Sequence, residues 1–240
     1  MFEAKLGVVR ERRRKHPALN LYNRIIHKYF VHDLSSELQV RARQDTADYV
    51  QQAMQGALMF DDHWKLLLAA LSEVPALGLC LEFGVARGDT VNFCARYLAE
   101  TGREMHGFDS FEGLPEPWTG TTEPRGAFNL GGKLPRVLPN VRLHKGWFNE
   151  TVPAFLATSN GPVAFMHIDC DIYSSTKCVL DATADRLQPG AIVAFDEYFN
   201  YFGWRQHEFR AWQEIVRERN LRYEYRGFCG RGKQVYIKLL

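Results

Sequence analysis

Two short apolar runs, Val163-Ala-Phe-Met166 and Ala191-Ile-Val-Ala-Phe195, each lead straight into acid. The first continues as His167-Ile-Asp169-Cys-Asp171-Ile-Tyr173, the second as Asp196-Glu197-Tyr198. Apolar runs of this length read as strands buried on both faces, and the stretch 174–187 between them reads as a helix. Two buried strands joined by a helix belong to an α/β sheet, where ligand crevices lie at the strands' carboxyl ends. Asp169, Asp196 and Glu197 are therefore expected on one rim. Three hard oxygen donors in one crevice suit a divalent cation such as Mg²⁺ better than a soft metal. The competing reading is that strand-end acids cap helices or face solvent.

Residues 1–75 carry almost no strand signal. Leu38, Ala42, Ala47, Val50, Met54, Leu58 and Leu66–Leu68 recur at helical spacing, with a start expected at Ser35-Ser36-Glu37. Pro75 and Gly78 then punctuate the chain, and strands are expected near 79–83, 104–108, 141–145, 163–168 and 191–195. Helices are expected near 89–100, 149–157, 174–187 and 205–219. At the end, 221–228 and 233–239 flank Cys-Gly-Arg-Gly and read as an antiparallel hairpin. Residues 112–140 are rich in Pro and Gly without periodicity, the mark of a functional loop or lid. A boundary near 75 would separate a helical extension, serving as lid or dimer contact, from a domain over 76–240.

Glu82-Phe-Gly84-Val-Ala-Arg87-Gly88 follows the first of these strands and opens a helix. Such a turn lets a ligand approach the backbone and meet the positive end of the helix. It is not G-x-G-x-x-G, which disfavours a dinucleotide; Glu82 would repel a pyrophosphate but attract the ammonium of an aminoacyl group. Asp109 ends the next strand, where an acid takes the two hydroxyls of a ribose. Acids at both strand ends around the turn favour nucleoside binding over simple packing.

Five ordered segments carry a resemblance: Glu82–Gly88, Phe108-Asp-Ser110-Phe-Glu-Gly-Leu-Pro115, Gly146-Trp147-Phe148-Asn-Glu-Thr-Val-Pro153, His167–Thr176 and Phe195–Tyr198. Together they resemble the macrocin-type O-methyltransferases, class I enzymes that use S-adenosylmethionine (SAM) and Mg²⁺ to methylate hydroxyls of natural-product sugars. The resemblance covers roughly 78–238. It implies a Rossmann-like seven-stranded sheet whose last strand is antiparallel. It places SAM against Glu82, Gly84, Arg87, Gly88, Asp109, Ser110, Trp147 and Phe148, and the metal on Asp169, Asp196 and Glu197. Glu197 departs from the pattern, since that position is usually Asp in these enzymes.

Within the same segments, Asp171 reads as a cap for the helix that follows, and His167 as a packed core histidine or a base. His144 and Trp147 flank the third strand's end, where Trp147 or Phe148 would stack on adenine. Tyr198, Tyr201, Trp204, Arg205 and His207 are candidates for the acceptor pocket. Asp169 is the preferred catalytic base, with His207 or His167 in reserve.

Composition limits the remaining choices. At 240 residues and 46% hydrophobic, the chain can bury one substantial core, and its net charge of +2 gives no general attraction to nucleic acid. The basic run Arg10–His16 reads as solvated. Five cysteines without a CxxC pair indicate a reduced, cytoplasmic setting, and no apolar run is long enough to span a bilayer. The expected protein is a Mg²⁺-dependent O-methyltransferase acting on a small-molecule hydroxyl, with a homo-oligomer possible through the N-terminal apolar stripe. Its rivals are a metal-independent SAM methyltransferase and a non-catalytic nucleoside-binding protein.

Overall fold

Every apolar run expected as a strand is one in the computed structural model, which describes residues 33–240. The basic run Arg10–His16 lies outside the described residues. The described residues divide after Val40, with 33–40 in one unit and 41–240 in a second, compact one. Of the first, the described part holds Asp33, which accepts a hydrogen bond from the Ser36 amide (3.2 Å), and the opening of helix α1 (Leu34–Ala53). That helix thus starts just before the expected Ser35-Ser36.

After α1 the chain forms strand β1 (Leu58–Phe60), helix α2 (His63–Ser72), β2 (Leu79–Phe83), α3 (Asp89–Ala99), β3 (Met105–Asp109) and β4 (Val141–Lys145). It continues as α4 (Phe148–Thr158), β5 (Val163–Ile168), α5 (Tyr173–Thr183), β6 (Leu187–Phe195), α6 (Glu208–Glu218), β7 (Tyr223–Cys229) and β8 (Val235–Leu239). The sheet order is β1-β7-β8-β6-β5-β2-β3-β4. β2 to β6 run parallel, and β8 is antiparallel to both β6 and β7. This is the expected mixed α/β sheet with its C-terminal hairpin, and an eighth strand.

The eighth strand is β1, parallel to β7 at the sheet's edge. Three residues are too few for any periodicity, so helical spacing absorbed Leu58 into the N-terminal stripe. α2 equally packs on this sheet. Asp62 caps it by accepting from the amides of Trp64 (2.7 Å) and Lys65 (3.2 Å), and Leu66, Leu67, Ala70 and Leu71 are buried. The expected boundary near 75 therefore falls between elements of one sheet.

Strand alternation sorts the core into two layers. Leu81, Phe83, Met166, Ile168, Val193 and Phe195 face one side with Val152, Val179, Leu180 and Trp212 of α4, α5 and α6. Cys80, Phe165, Ile192 and Ala194 face the other, with Leu67, Val91 and Leu98 of α2 and α3. Each buried Val, Leu, Ile, Met or Phe among them contributes roughly 1.5–3 kcal/mol by leaving water. Truncating Phe83, fully buried in mid-sheet, would cost about 3–5 kcal/mol. All five cysteines are free thiols, and among the described residues no helix is long and apolar enough to cross a membrane.

Candidate functional site

The parallel strands deliver their carboxyl ends to one edge, and two close backbone contacts knit that edge together. The Asp169 amide donates to Phe83 O (2.9 Å), and Gly84 N donates to Phe108 O (3.0 Å). Gly84 has φ 93°, and a Cβ there would lie 1.8 Å from the Asp169 carbonyl oxygen. Only glycine fits, because the β5 backbone occupies the space a side chain would need. Gly88, at φ 86°, precedes α3 and lets the chain turn into it.

Asp109 locks this turn from the neighbouring strand. Its Oδ2 accepts from the amides of Val85 (2.9 Å) and Ala86 (2.8 Å), and its Oδ1 from Phe111 N (2.7 Å). It also lines a cavity of about 490 Å³ together with Gly84, Ala86, Ser110, Trp147 and Phe148. The same cavity is lined by Asp169, Asp171, Glu197, Tyr201 and Lys233, with Leu114, Trp118, Glu123 and Phe128 of the long loop on its wall. A second cavity of about 560 Å³ shares Ala86, Phe128 and Asp169 and opens on Arg87 and Asp89.

Two expected cofactor residues stand elsewhere. Gly88 shapes the turn without lining either cavity. Glu82 is fully buried in the layer between sheet and α3, its oxygens without hydrogen-bond partners and Oε2 3.6 Å from His167 Nδ1. Glu82 is next to Phe83, and alternation turns the two to opposite faces. Burial raises the Glu82 pKa; for His167 burial works downward, but the Glu82 and Asp196 carboxylates together outweigh it and raise the histidine.

The acids regroup relative to expectation. Carboxylate oxygens of Asp169, Asp171 and Glu197 all come within 4.8 Å of one another. Asp196 sits beside this trio: its Oδ1 accepts from Gln234 Nε2 (3.2 Å) and lies 4.0 Å from His167 Nε2. Adjacent residues at the end of β6 diverge, so Asp196 and Glu197 do not point the same way. Asp171 joins because the chain reverses there. It has φ 62°, in a three-residue turn closed by Ile172 N to Cys170 O (2.6 Å). It caps nothing; Ile172 precedes α5 without a side-chain cap.

Burial, then the charge of Asp196, pushes Asp169 and Glu197 well above the usual carboxylate range and raises Asp171 to about 7. Glu197 Oε2 is buried without a hydrogen-bond partner. An unsatisfied oxygen among crowded hard donors fits a divalent cation.

Of the candidates for the acceptor pocket, Tyr201 alone lines the cavity. Tyr198 is buried in a tyrosine cluster, its hydroxyl 2.5 Å from that of Tyr225. Trp204 packs on Phe209 and Tyr49, Arg205 pairs with Asp45 (2.8 Å), and His144 stacks on Phe108. His207, a proposed base, stands behind Trp118 and Tyr201. Its Nε2 bonds the Thr119 carbonyl (2.9 Å), and burial lowers its pKa. It anchors the long loop.

Two contributors escaped the sequence reading. Glu208, fully buried at the start of α6, accepts from the amides of Cys170 (3.1 Å) and Glu197 (3.0 Å), and so ties both acidic segments together. Lys233, in the β7–β8 turn, places Nζ 3.0 Å from Glu197 Oε1. Glu208 opens an amphipathic helix and Lys233 sits in a turn, positions where a charge ordinarily signals nothing but solvent.

Residues 81–198 match the family described as methyltransferase domain, so this segment is a methyltransferase domain and the resemblance read from the motifs is borne out. The chain is 32% identical over 143 residues to the 8-demethyl-8-(2,3-dimethoxy-alpha-L-rhamnosyl)-tetracenomycin-C 4'-O-methyltransferase of Streptomyces olivaceus. That match covers 50% of this chain and 53%, about half, of the relative. In fold it is similar to the calicheamicin methyltransferase CalS11, with a TM-score of 0.58 at 22% identity over 99% of both chains. It is also similar to the O-methyltransferase NovP, with a TM-score of 0.53 at 20% identity over 73% of this chain and 78% of that one.

Proposed function

We propose that this protein is a SAM-dependent O-methyltransferase that methylates a hydroxyl of a sugar or other natural-product small molecule, assisted by a divalent cation such as Mg²⁺. One observation carries the reading. Within a methyltransferase domain, the glycine turn with Asp109 and the trio Asp169, Asp171 and Glu197 open into a single cavity. The relative from Streptomyces olivaceus is named for methyl transfer to a rhamnosyl 4'-hydroxyl, which supports a sugar as the acceptor.

Bound there, SAM would supply a methyl already activated by its sulfonium, and a divalent cation would lower the pKa of the acceptor hydroxyl. The protein's own part is alignment and proton removal. Gly84, Ala86 and Asp109 form the floor for the cofactor, and Trp147 and Phe148 present rings to its base. Asp169 and Glu197 would hold the cation. Asp171 faces the same space, and its carboxylate oxygen is placed to accept the hydroxyl proton. Trp118, Tyr201 and the loop around them wall off water and hold the acceptor in line.

The test is methyl transfer from labelled SAM to a panel of free and glycosidically bound deoxysugars, with and without excess chelator. Transfer that stops on chelation and returns with Mg²⁺ supports the whole reading. Full transfer in chelator would leave a metal-independent methyltransferase, and absence of SAM binding by calorimetry would overturn the reading altogether.

A further inference from the structure

Lys233 is the cation nearest the acidic trio among the ion pairs of the cavity lining. Its Nζ lies 3.0 Å from Glu197 Oε1 and 5.2 Å from the ring centroids of both Trp118 and Tyr201. Burial works to lower its pKa, but the charges of Glu197, Asp196 and Asp171 outweigh this and raise it, so the group is an ammonium. It also acts in the reverse direction, offsetting part of the upward push on Asp171 and Glu197. The hairpin turn fixes where it sits. Tyr198 N donates to the Lys233 carbonyl (3.1 Å), and the Asn200 side chain to the neighbouring Gly232 carbonyl (2.9 Å). The stem therefore rises from a backbone pinned to the segment that carries Glu197.

One ammonium does not balance the carboxylates of the trio with Asp196 beside them, and a divalent cation would neutralise charge that Lys233 leaves. The ammonium and such a cation would nevertheless share Glu197. One of its oxygens is taken by Lys233, and the other is buried without a partner. Lys233 is also more than a third exposed, on a flexible four-carbon stem, with two aromatic faces beside it that can hold the ammonium away from the carboxylate.

We propose that Lys233 is the resident counter-ion of the acidic site and competes with the divalent cation for Glu197, so that it weakens metal binding and keeps the metal exchangeable. This rests on the reading that the trio holds a divalent cation. When the cation enters, the ammonium leaves Glu197 for the Trp118 and Tyr201 faces. There it lines the wall of the acceptor cavity, so metal occupancy is coupled to the shape and charge of that wall.

The experiment is Mn²⁺ titration, by calorimetry and by loss of the free-ion electron paramagnetic resonance signal, on the full chain and its Lys233→Met and Lys233→Arg variants. SAM affinity and melting temperature in chelator serve as controls. Lys233→Met should bind Mn²⁺ about five- to tenfold more tightly, the effect of losing a partly screened neighbouring cation. It should also melt lower in chelator, and Lys233→Arg should stay near the parent. A parent that binds Mn²⁺ while Lys233→Met binds equally or more weakly would overturn the competition. If neither binds Mn²⁺ while SAM still binds, the metal reading falls and the competition with it. Binding by Lys233→Met alone would show that the ammonium blocks the site and would overturn an exchangeable metal in the parent.

Discussion

The buried Glu208 carboxylate holds Glu197 by its backbone, accepting the Glu197 amide at 3.0 Å while its other oxygen accepts that of Cys170 at 3.1 Å. The two acidic segments come from different strands, and this side chain sets the distance between them. Removing it as Glu208→Ala leaves two buried amides unpaired, at about 1–3 kcal/mol each. The expected outcome is a lower denaturant midpoint together with weaker Mn²⁺ binding. Glu208→Gln, which keeps one acceptor, should fall between the two. Chemical denaturation paired with metal titration measures both.

Asp171 is expected to carry the proton transfer. Asp171→Asn should lower kcat by about 10²- to 10⁴-fold, the usual contribution of a general base, with SAM affinity unchanged. Steady-state kinetics beside calorimetry would show it, and an unaltered kcat would return the role to Asp169.

His207 is expected to act through the loop and not through the proton. His207→Ala should raise KM for the acceptor, because the Thr119 carbonyl loses its partner, and leave the pH profile of kcat in place. A variant whose acidic limb moves would restore His207 as a base.

The crowded acids make stability depend on pH. Asp169, Asp171, Glu197 and Glu208 have folded-state pKa values raised by burial. The folded state therefore binds protons more tightly than the unfolded chain, and the associated stability is present at low pH and lost as pH rises. In chelator the melting temperature should fall as pH climbs from about 4 through the Asp171 value of about 7. Mg²⁺ should remove most of that slope, since a bound cation replaces the protons. Differential scanning calorimetry across this range is the measurement.

Gly84→Ala should be more damaging than any nearby surface change. The added methyl would meet the Asp169 carbonyl oxygen at 1.8 Å, on a backbone at φ 93°, so the ends of β2 and β5 must part. Loss of SAM binding by calorimetry is expected even where the circular dichroism of the variant stays native.

Local pattern was enough for the strands and helices from residue 79 onward and for the hairpin, because each buries a run whose period is visible within a few residues. The glycine turn, Asp109 and the two acidic segments were likewise legible, since strand ends in a parallel sheet share one edge whatever the sequence between them. Position along the chain could not say which acids converge. Asp171 entered the trio through a backbone reversal at φ 62°, while Asp196, just past the end of β6, turned toward His167 and Gln234. β1 gained its identity only from pairing with β7. Glu82 and His207, chemically apt for a site, were buried away from it by the layers they pack in. Glu208 and Lys233 arrived from the far end of the chain, and no spacing rule reaches across residues that meet only after the sheet has closed. The sequence determined the edge at which chemistry is possible; the tertiary structure decided which side chains face one another there, because charge and burial act through space and not along the chain.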